Sequence, residues 1–489
     1  IFQDPIASLN PTLRIGAQLS EVIIDGTQPA AWLQRVGIPD SEARLQAYPH
    51  QLSGGQCQRV MIAMALAKQP TFILADEPTS ALDTIVQGQI LDLLRRLVRE
   101  ERIAMLFVTH DLAVAAALAD RVLVMHAGRI VEAGTIGTLS DRPAHPYTAA
   151  LLGARFGLTV DRTRQLPTLA VDPEPADPAK DACTFVARCG LATNWCRNQR
   201  PETTAAAHGG TVACFHTAAA MRSLADAKPW PTSRETLHGT LLELVQVDKT
   251  YPLPRRARFG PAHTLHALRG IDLRVSHGES IAVVGSSGCG KSTLLRIVAG
   301  LIAPDRGDVV YLSRDRPQVI FQDARGSLTP WLTLGEQIGE RLRPLSLSRS
   351  ARAMKVATAL QQVGLDTQLA AARPLELSGG QCQRAVLARA IVVPPKLLLC
   401  DEAVSALDMT LAAAMLNLIG GLRRQLGMAL MFVTHDLAVA RLIAERIVVM
   451  SAGAIVESGD AEQVIRAPIH PVTMNLLAAV PKAAEHVAP

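Results

Sequence analysis

The apolar positions of this chain gather in short continuous runs, each ending in a polar or glycine-rich turn. Ile281–Val284, the runs inside Thr71–Glu77 and Ala104–Thr109, Leu397–Cys400 and the run inside Met428–Thr434 all have this form. Runs of that length read as strands buried on both faces of a parallel sheet. After two kinds of glycine turn the pattern changes. Leu294–Gly300 and Gln56–Ala65 carry apolar residues at helical spacing. Strands alternating with helices place the chain in the α/β class. No uninterrupted apolar run reaches 18 residues, and the very hydrophobic stretch Ala385–Cys400 contains Arg389, Lys396 and a proline pair. No helix spanning a bilayer is expected.

The turn after Ile281–Val284 is Gly285-Ser286-Ser287-Gly288-Cys289-Gly290-Lys291-Ser292-Thr293, a G-x-x-x-x-G-K-[ST] phosphate loop between a strand and a helix. Its glycines let backbone N–H groups turn toward phosphate oxygens, and the helix adds its positive N-terminal end. Lys291 can reach the β- and γ-phosphates and Ser292 can ligate Mg²⁺. The chain is expected to bind a nucleoside triphosphate.

The chain also repeats itself. Leu52–Arg59 recurs as Leu377–Arg384, Asp76-Glu77 as Asp401-Glu402, Ser80–Asp83 as Ser405–Asp408, and Val108–Asp111 as Val433–Asp436, each at an offset of 325 residues. Ile1–Asp4 pairs with Ile320–Asp323 at an offset of 319. Four motifs in one order at one spacing define two copies of one unit. Copy two opens at Leu241–Tyr251, whereas copy one opens two residues before Gln3, the counterpart of Gln322. On this reading about 80 residues of copy one, its phosphate loop included, are expected to be absent ahead of Ile1. The opening Ile-Phe-Gln-Asp-Pro has no Met, basic region or cleavage site, so no signal peptide is expected.

Composition adds limits. The 489 residues leave room for two or three domains, and 48% hydrophobic content supports large cores. A net charge of +5 is too weak to imply nucleic acid, and 3% aromatics argue against base-stacking platforms.

Taken together, the motifs resemble two tandem ATP-binding-cassette (ABC) ATPase domains of the P-loop class. The resemblance covers about 1–155 and 240–485 and implies a RecA-like core and a helical subdomain in each. The expected division is a first cassette over 1–155, truncated at its start, a linker over 156–239, and a complete second cassette over 240–489.

The resemblance also implies roles. Gln3 and Gln322 would be Gln-loop residues contacting Mg²⁺ and the attacking water. Asp401 would hold Mg²⁺ with Ser292. Glu77 and Glu402 would polarise the water, and His110 and His435 would contact the γ-phosphate. Copy two reads Asp401-Glu402-Ala-Val where copy one has Asp76-Glu77-Pro-Thr, which keeps both acids. Tyr251 stands where the family stacks an aromatic ring on adenine. The signatures Ser53-Gly54-Gly55-Gln56 and Ser378-Gly379-Gly380-Gln381 would bind the γ-phosphate held by the opposite cassette, because the family pairs its cassettes head to tail. The complete ATP site would then join the second cassette's loop to Ser53, Gly54 and Gly55. The other would lack its phosphate loop.

After each His comes Ala144-His145-Pro-Tyr-Thr148 or Ile469-His470-Pro-Val-Thr473. These tails resemble the oligopeptide, dipeptide and nickel import ATPases. They imply ATP and Mg²⁺ as cofactors, two transmembrane permease subunits and an extracytoplasmic binding protein as partners, and a place on the cytoplasmic face of the membrane. The other reading, a soluble tandem ATPase on ribosomes or DNA, is disfavoured because the linker has no basic helical arm.

Between the cassettes lie Cys183, Cys189, Cys196 and Cys214. Four clustered cysteines in a chain without export signals read as metal ligands rather than disulfides. Their gaps are wider than those of a zinc knuckle and suit an iron–sulfur cube. The resemblance adds that related oligopeptide and dipeptide ATPases carry such a segment after the His-Pro tail, and that in some members it holds a [4Fe–4S] cluster. Zinc and free thiols stay open as alternatives.

Overall fold

The two Ser-Gly-Gly-Gln motifs each start a helix, and the two acidic pairs each end a strand, so both copies build the same local frame. The computed structural model describes the chain except residues 80–81, 169–180, 208, 218–227, 232–238, 253–263, 314, 406 and 481–489. Ser80, Ala81 and Ala406 of the Ser-Ala-Leu-Asp motifs therefore lie outside the described residues, as does most of the proline-rich stretch from Pro167 to Pro178. The backbone divides into two compact units. One holds Ile1–Leu123 with Ala133–Asp141 and the stretch from Ala478, and the other holds Val124–Glu132 and Arg142–Leu477.

In the first unit, helix α1 (Gly54–Leu66) leads to strand β1 (Phe72–Asp76), and helix α2 (Thr84–Glu101) returns to strand β2 (Ala104–Val108). The strands pair in parallel, Phe72 opposite Ala104 and Asp76 opposite Val108. The Ile1 ammonium donates to Leu74 O at 2.7 Å and Asp76 N to Ile1 O at 2.9 Å, so the first residue runs along the free edge of β1. The core, which includes Leu33, Ile62, Ile90 and Leu94, lies on one face of this pair. The expectation of strands buried on both faces therefore fails here: Phe72 is 51% and Leu74 59% exposed, and Leu106 and Val108 are exposed beside them. Their counterparts Leu397, Leu399, Met431 and Val433 are all buried, because the second unit packs a further layer on that face.

In the second unit, strands β3 (Val122–His126) and β4 (Arg129–Gly134), whose residues 124–132 belong to it, precede helix α3 (Pro146–Gly153). The short strands β5 (Thr204–Ala205) and β6 (Thr211–Val212) extend the hairpin into a sheet of order β3-β4-β6-β5. Next come the long strands β7 (Thr240–Pro252) and β8 (Thr264–Ser276), β9 (Ser280–Val284), helix α4 (Lys291–Val298), β10 (Arg306–Tyr311) and β11 (Gln318–Ile320). Helices α5 (Arg349–Gln362) and α6 (Gly379–Ile391) are followed by β12 (Leu397–Asp401), helix α7 (Met409–Leu426), β13 (Ala429–Thr434), helix α8 (Leu437–Ile443), β14 (Arg446–Ser451) and β15 (Ala454–Asp460).

The central sheet has the order β11-β12-β13-β9-β14-β15. It is parallel from β11 to β14, with β15 antiparallel at the edge. A second, antiparallel sheet β10-β7-β8 closes over it and shares the core of Leu268, Ile281, Leu294 and Val433. The loops leaving β9, β11, β12 and β13 gather at one end, the carboxyl end of the strands, where open α/β sheets bind ligands.

Candidate active site

The phosphate loop leaves β9, a strand buried at every position. Gly285, Gly288 and Gly290 take φ values of 155°, 78° and 107°, a region that disfavours side chains. Space forbids one as well: a Cβ on Gly285 would lie 2.3 Å from Met450 O, and one on Gly290 2.3 Å from Ala267 O. Cys289 is buried beneath the loop, and burial raises its thiol pKa. Lys291 begins α4 and folds back, donating to Gly285 O at 2.7 Å and Ser286 O at 3.1 Å. Ser287 and Thr293 complete the turn and the first helical step.

Around that loop the other strand ends supply polar groups. Ser292 Oγ donates to Asp401 Oδ1 at 3.4 Å. Burial, then the neighbouring Glu402 charge, pushes the Asp401 carboxyl above its ordinary pKa, the state of an acid set where a cation would be favourable. Gln322 Nε2 donates to Glu402 Oε2 at 3.3 Å, and His435 Nδ1 lies 3.3 Å from Glu402 Oε1. Burial works against the His435 cation, but the hydrogen bond and charge of Glu402, with Asp436, outweigh it and raise its pKa.

The first copy repeats the arrangement. Gln3 Nε2 donates to Glu77 Oε2 at 3.1 Å, and His110 Nδ1 lies 3.1 Å from Glu77 Oε1. Both glutamates hold left-handed backbone, φ 41° at Glu77 and 46° at Glu402. Their N–H groups donate to Val108 O and Val433 O, each at 3.0 Å, which pins the twist. Such a conformation costs about 1–3 kcal/mol and persists where its surroundings enforce it.

The signature helices are capped alike. Ser53 Oγ accepts from Gln56 N at 3.3 Å while Gln56 Oε1 accepts from Ser53 N at 3.1 Å. Ser378 and Gln381 do the same at 3.2 and 3.0 Å. Gln56 and Gln381 thus close capping boxes, leaving the N–H groups of Gly54-Gly55 and Gly379-Gly380 at the helix starts. Tyr251, on β7, pairs with Leu265, two residues before the Ala267 carbonyl that closes on the loop.

A family model described as ABC transporter matches residues 1–80 and 268–405, and one described as oligopeptide/dipeptide transporter, C-terminal region, matches 131–196 and 456–488. The oligopeptide transport ATP-binding protein OppD of Mycobacterium tuberculosis is 38% identical over 514 residues, 99% of this chain and 84% of that protein. The glutathione import ATP-binding protein GsiA of Pectobacterium atrosepticum is 38% identical over 508 residues, 99% of this chain and 74% of that protein. The chain belongs to the ABC transporter ATP-binding proteins. It is an ATPase of that family, and among its described residues no helix is long and apolar enough to cross a membrane.

The two His-Pro tails of this ABC ATPase are held by a device that sequence reasoning missed. Glu132, on β4 and fully buried, accepts from Ala144 N at 2.7 Å and His145 N at 3.0 Å. Glu457 accepts from Ile469 N at 2.9 Å and His470 N at 3.0 Å, and also from the Thr473 hydroxyl. Each His then caps its helix, His145 Nδ1 accepting from Tyr147 N at 3.0 Å and His470 Nδ1 from Val472 N at 3.2 Å. The available signal was a Glu standing 13 residues before the His in both copies.

The cysteine segment packs on the first of these tails. Ala213 N donates to Val131 O at 2.9 Å, adding β6 to the hairpin. Phe185 sits among the rings of His126, His145 and Tyr147 at centroid distances of 5.2 to 5.7 Å. Cys183, Cys189, Cys196 and Cys214 line one small pocket with His145 and His216. Burial raises the thiols of Cys183 and Cys189 and pushes Cys214 up to about 11. Backbone N–H groups of Phe185, Leu191 and His216 point at three of these sulfurs. Among the described residues no group of three or more His, Cys, Asp or Glu is arranged to hold a metal ion, so the expected iron–sulfur or zinc centre is without support here.

Other described parts of the linker are seated too. Leu166 N donates to Asn417 Oδ1 at 2.9 Å and Asn417 Nδ2 to Leu166 O at 2.8 Å. Arg441 Nη1 donates to Val160 O at 2.7 Å. Trp230 Nε1 donates to Arg162 O at 3.0 Å, and the Arg424 guanidinium lies 4.3 Å from the Trp230 ring centre. Residues 160–166 and 229–231 therefore form a strap on α7 and α8, the helices that follow Asp408 and His435.

Proposed function

We propose that this chain is the ATP-hydrolysing subunit of an importer for short peptides or a related solute such as glutathione. The arrangement of Gln322, Glu402 and His435 beside the phosphate loop carries the ATPase part. The two His-Pro tails, and relatives named for oligopeptide and glutathione transport, support the solute class. No comparison favours the ribosome or DNA reading.

In this reading the loop Gly285–Thr293 cradles the ATP phosphates, with Lys291 swinging from Gly285 O onto them. Asp401, Ser292 and Gln322 would hold Mg²⁺, which supplies charge neutralisation on the phosphates. Glu402 orients and polarises the attacking water, Gln322 positions it, and His435 donates toward the γ-phosphate. Gln3, Glu77 and His110 take the same roles in copy one. The signatures Ser53–Gln56 and Ser378–Gln381 present helix N-termini suited to a γ-phosphate. Tyr251 packs on adenine. Three parts, 1–155, 156–239 and 240–489, serve as first cassette, linker and second cassette.

The protein docks peripherally on the cytoplasmic side of two permease subunits fed by an extracytoplasmic binding protein. Cys183, Cys189, Cys196 and Cys214 are the ligands of a [4Fe–4S] cluster, with zinc the other candidate. Four thiols lining one pocket with N–H groups aimed at them suit either, and the group's contribution would be structural. The experiment is ATP turnover of the chain with and without its reconstituted permease partners. Stimulation supports the reading, and turnover indifferent to the permease sinks it.

A further inference from the structure

We infer that Arg325 and Arg389 are positioning residues for the ATPase reaction, fastening the turn that carries Gln322 to the signature helix α6, in copy two only. The inference rests on the reading of Gln322 as the group that positions Mg²⁺ and the attacking water.

Gln322 needs such support. Its amide donates to Glu402 at 3.3 Å and to Ser405 Oγ at 3.5 Å, long bonds that hold the side chain weakly. The turn after it is closed from within. Asp323 Oδ1 accepts from Gly326 N at 2.8 Å, and Ser327 Oγ donates to Asp323 O at 2.6 Å. Neither bond leaves the turn.

The two arginines do leave it. Arg325, inside the turn, donates from Nη2 to Leu377 O at 2.9 Å, the carbonyl just before Ser378. Arg389, on α6, donates from Nη1 to Ser327 O at 2.8 Å. One bond runs from turn to helix and the other from helix to turn. A charged donor makes each stronger than its neutral equivalent, and the planar guanidinium restricts its direction. With both in place, Gln322 and the Ser378–Gly380 signature shift as one body.

Copy one keeps the turn and drops the ties. Asp4 Oδ1 accepts from Ile6 N and Ala7 N, and Ser8 Oγ donates to Asp4 O at 2.6 Å, as in copy two. At the offsets of 319 and 325 residues, however, Ile6 stands for Arg325 and Met64 for Arg389. Neither side chain has a donor. The Gln3 turn is therefore without either tie.

The test measures MgATP turnover of the full chain in Arg325→Ile and Arg389→Met, which place copy-one residues in copy two. Each should lower kcat by about three- to tenfold while KM for MgATP stays within about twofold. Arg389→Lys keeps a cationic donor and should retain more kcat than Arg389→Met. In a Gln322→Ala background the arginine substitutions should cost nothing further, because effects that pass through one residue do not add. Arg325 is exposed, so its variant should keep the melting temperature, which guards against misfolding of Arg389→Met. Unchanged kcat in either arginine variant, or losses that multiply with that of Gln322→Ala, overturns the inference. Full turnover by Gln322→Ala alone instead removes the reading of Gln322 beneath it.

Discussion

Glu402 and His435 face each other at 3.3 Å, with Glu402 held in left-handed backbone by the N–H bond to Val433 O. The pair sets both the direction of the carboxylate and the charge state of the imidazole. Glu402→Gln keeps the shape and removes the charge. Turnover should fall by about 100-fold or more while MgATP binding persists, the loss expected for a general base. The His435 pKa, followed by NMR, should fall at the same time. Unchanged turnover would take Glu402 out of the chemistry.

Gly290 meets the β8 backbone. Gly290→Ala puts a Cβ 2.3 Å from Ala267 O at φ 107°, so either the loop or β8 must move. Stability should drop by about 1–3 kcal/mol, read from denaturant unfolding, and nucleotide affinity should be lost with it.

His145 gives a pH dependence. Burial first, then the nearby His126, lowers its pKa from 6.5 to about 4, and a proton on Nδ1 would break its bond from Tyr147 N. The unfolded chain takes up the proton before the folded one. Stability is therefore complete above about 6.5 and declines as pH falls toward 4, by at most about 1.4 kcal/mol per pH unit. His145→Gln should flatten that slope in melts run across the window.

The strap can be tested at Trp230. Trp230→Ala removes the bond to Arg162 O, the ring under Arg424, and the atoms that would lie 2.9 Å from a Cβ on Gly420. A loss of about 2 kcal/mol is expected for this half-buried ring. Gly420→Ala should mimic part of it by displacing the indole.

Metal content settles the cysteine pocket. Anaerobically purified protein should carry iron and sulfide with a broad visible band, both lost in Cys189→Ser. Zinc in their place would discard the cluster and keep the ligands, and metal-free protein would make the four thiols a structural cluster.

Much of the candidate site was legible because phosphate-loop chemistry needs particular residue types at particular spacings. Gly285–Thr293, Asp401, Glu402 and His435 could be read that way, and the repeat gave the two-copy architecture. What could not be read was non-local. The same apolar run is buried on both faces at Leu397–Cys400 and on one at Phe72–Ala75, because burial depends on which layer packs there. The strap was hidden because Asn417 and Leu166 lie 251 residues apart and neither belongs to a motif. Gln56 and Gln381, expected at nucleotide, close capping boxes, a role shared by many helix starts.

The strap also bears on how such a gene can change. Two cassettes joined by an idle tether could be separated again at little cost. Once residues 160–166 and 229–231 have taken seats on α7 and α8, a split of the chain that falls between the strap and these helices bares helix surface on one product. Divergence in the strap must then track divergence in Asn417, Gly420, Arg424 and Arg441.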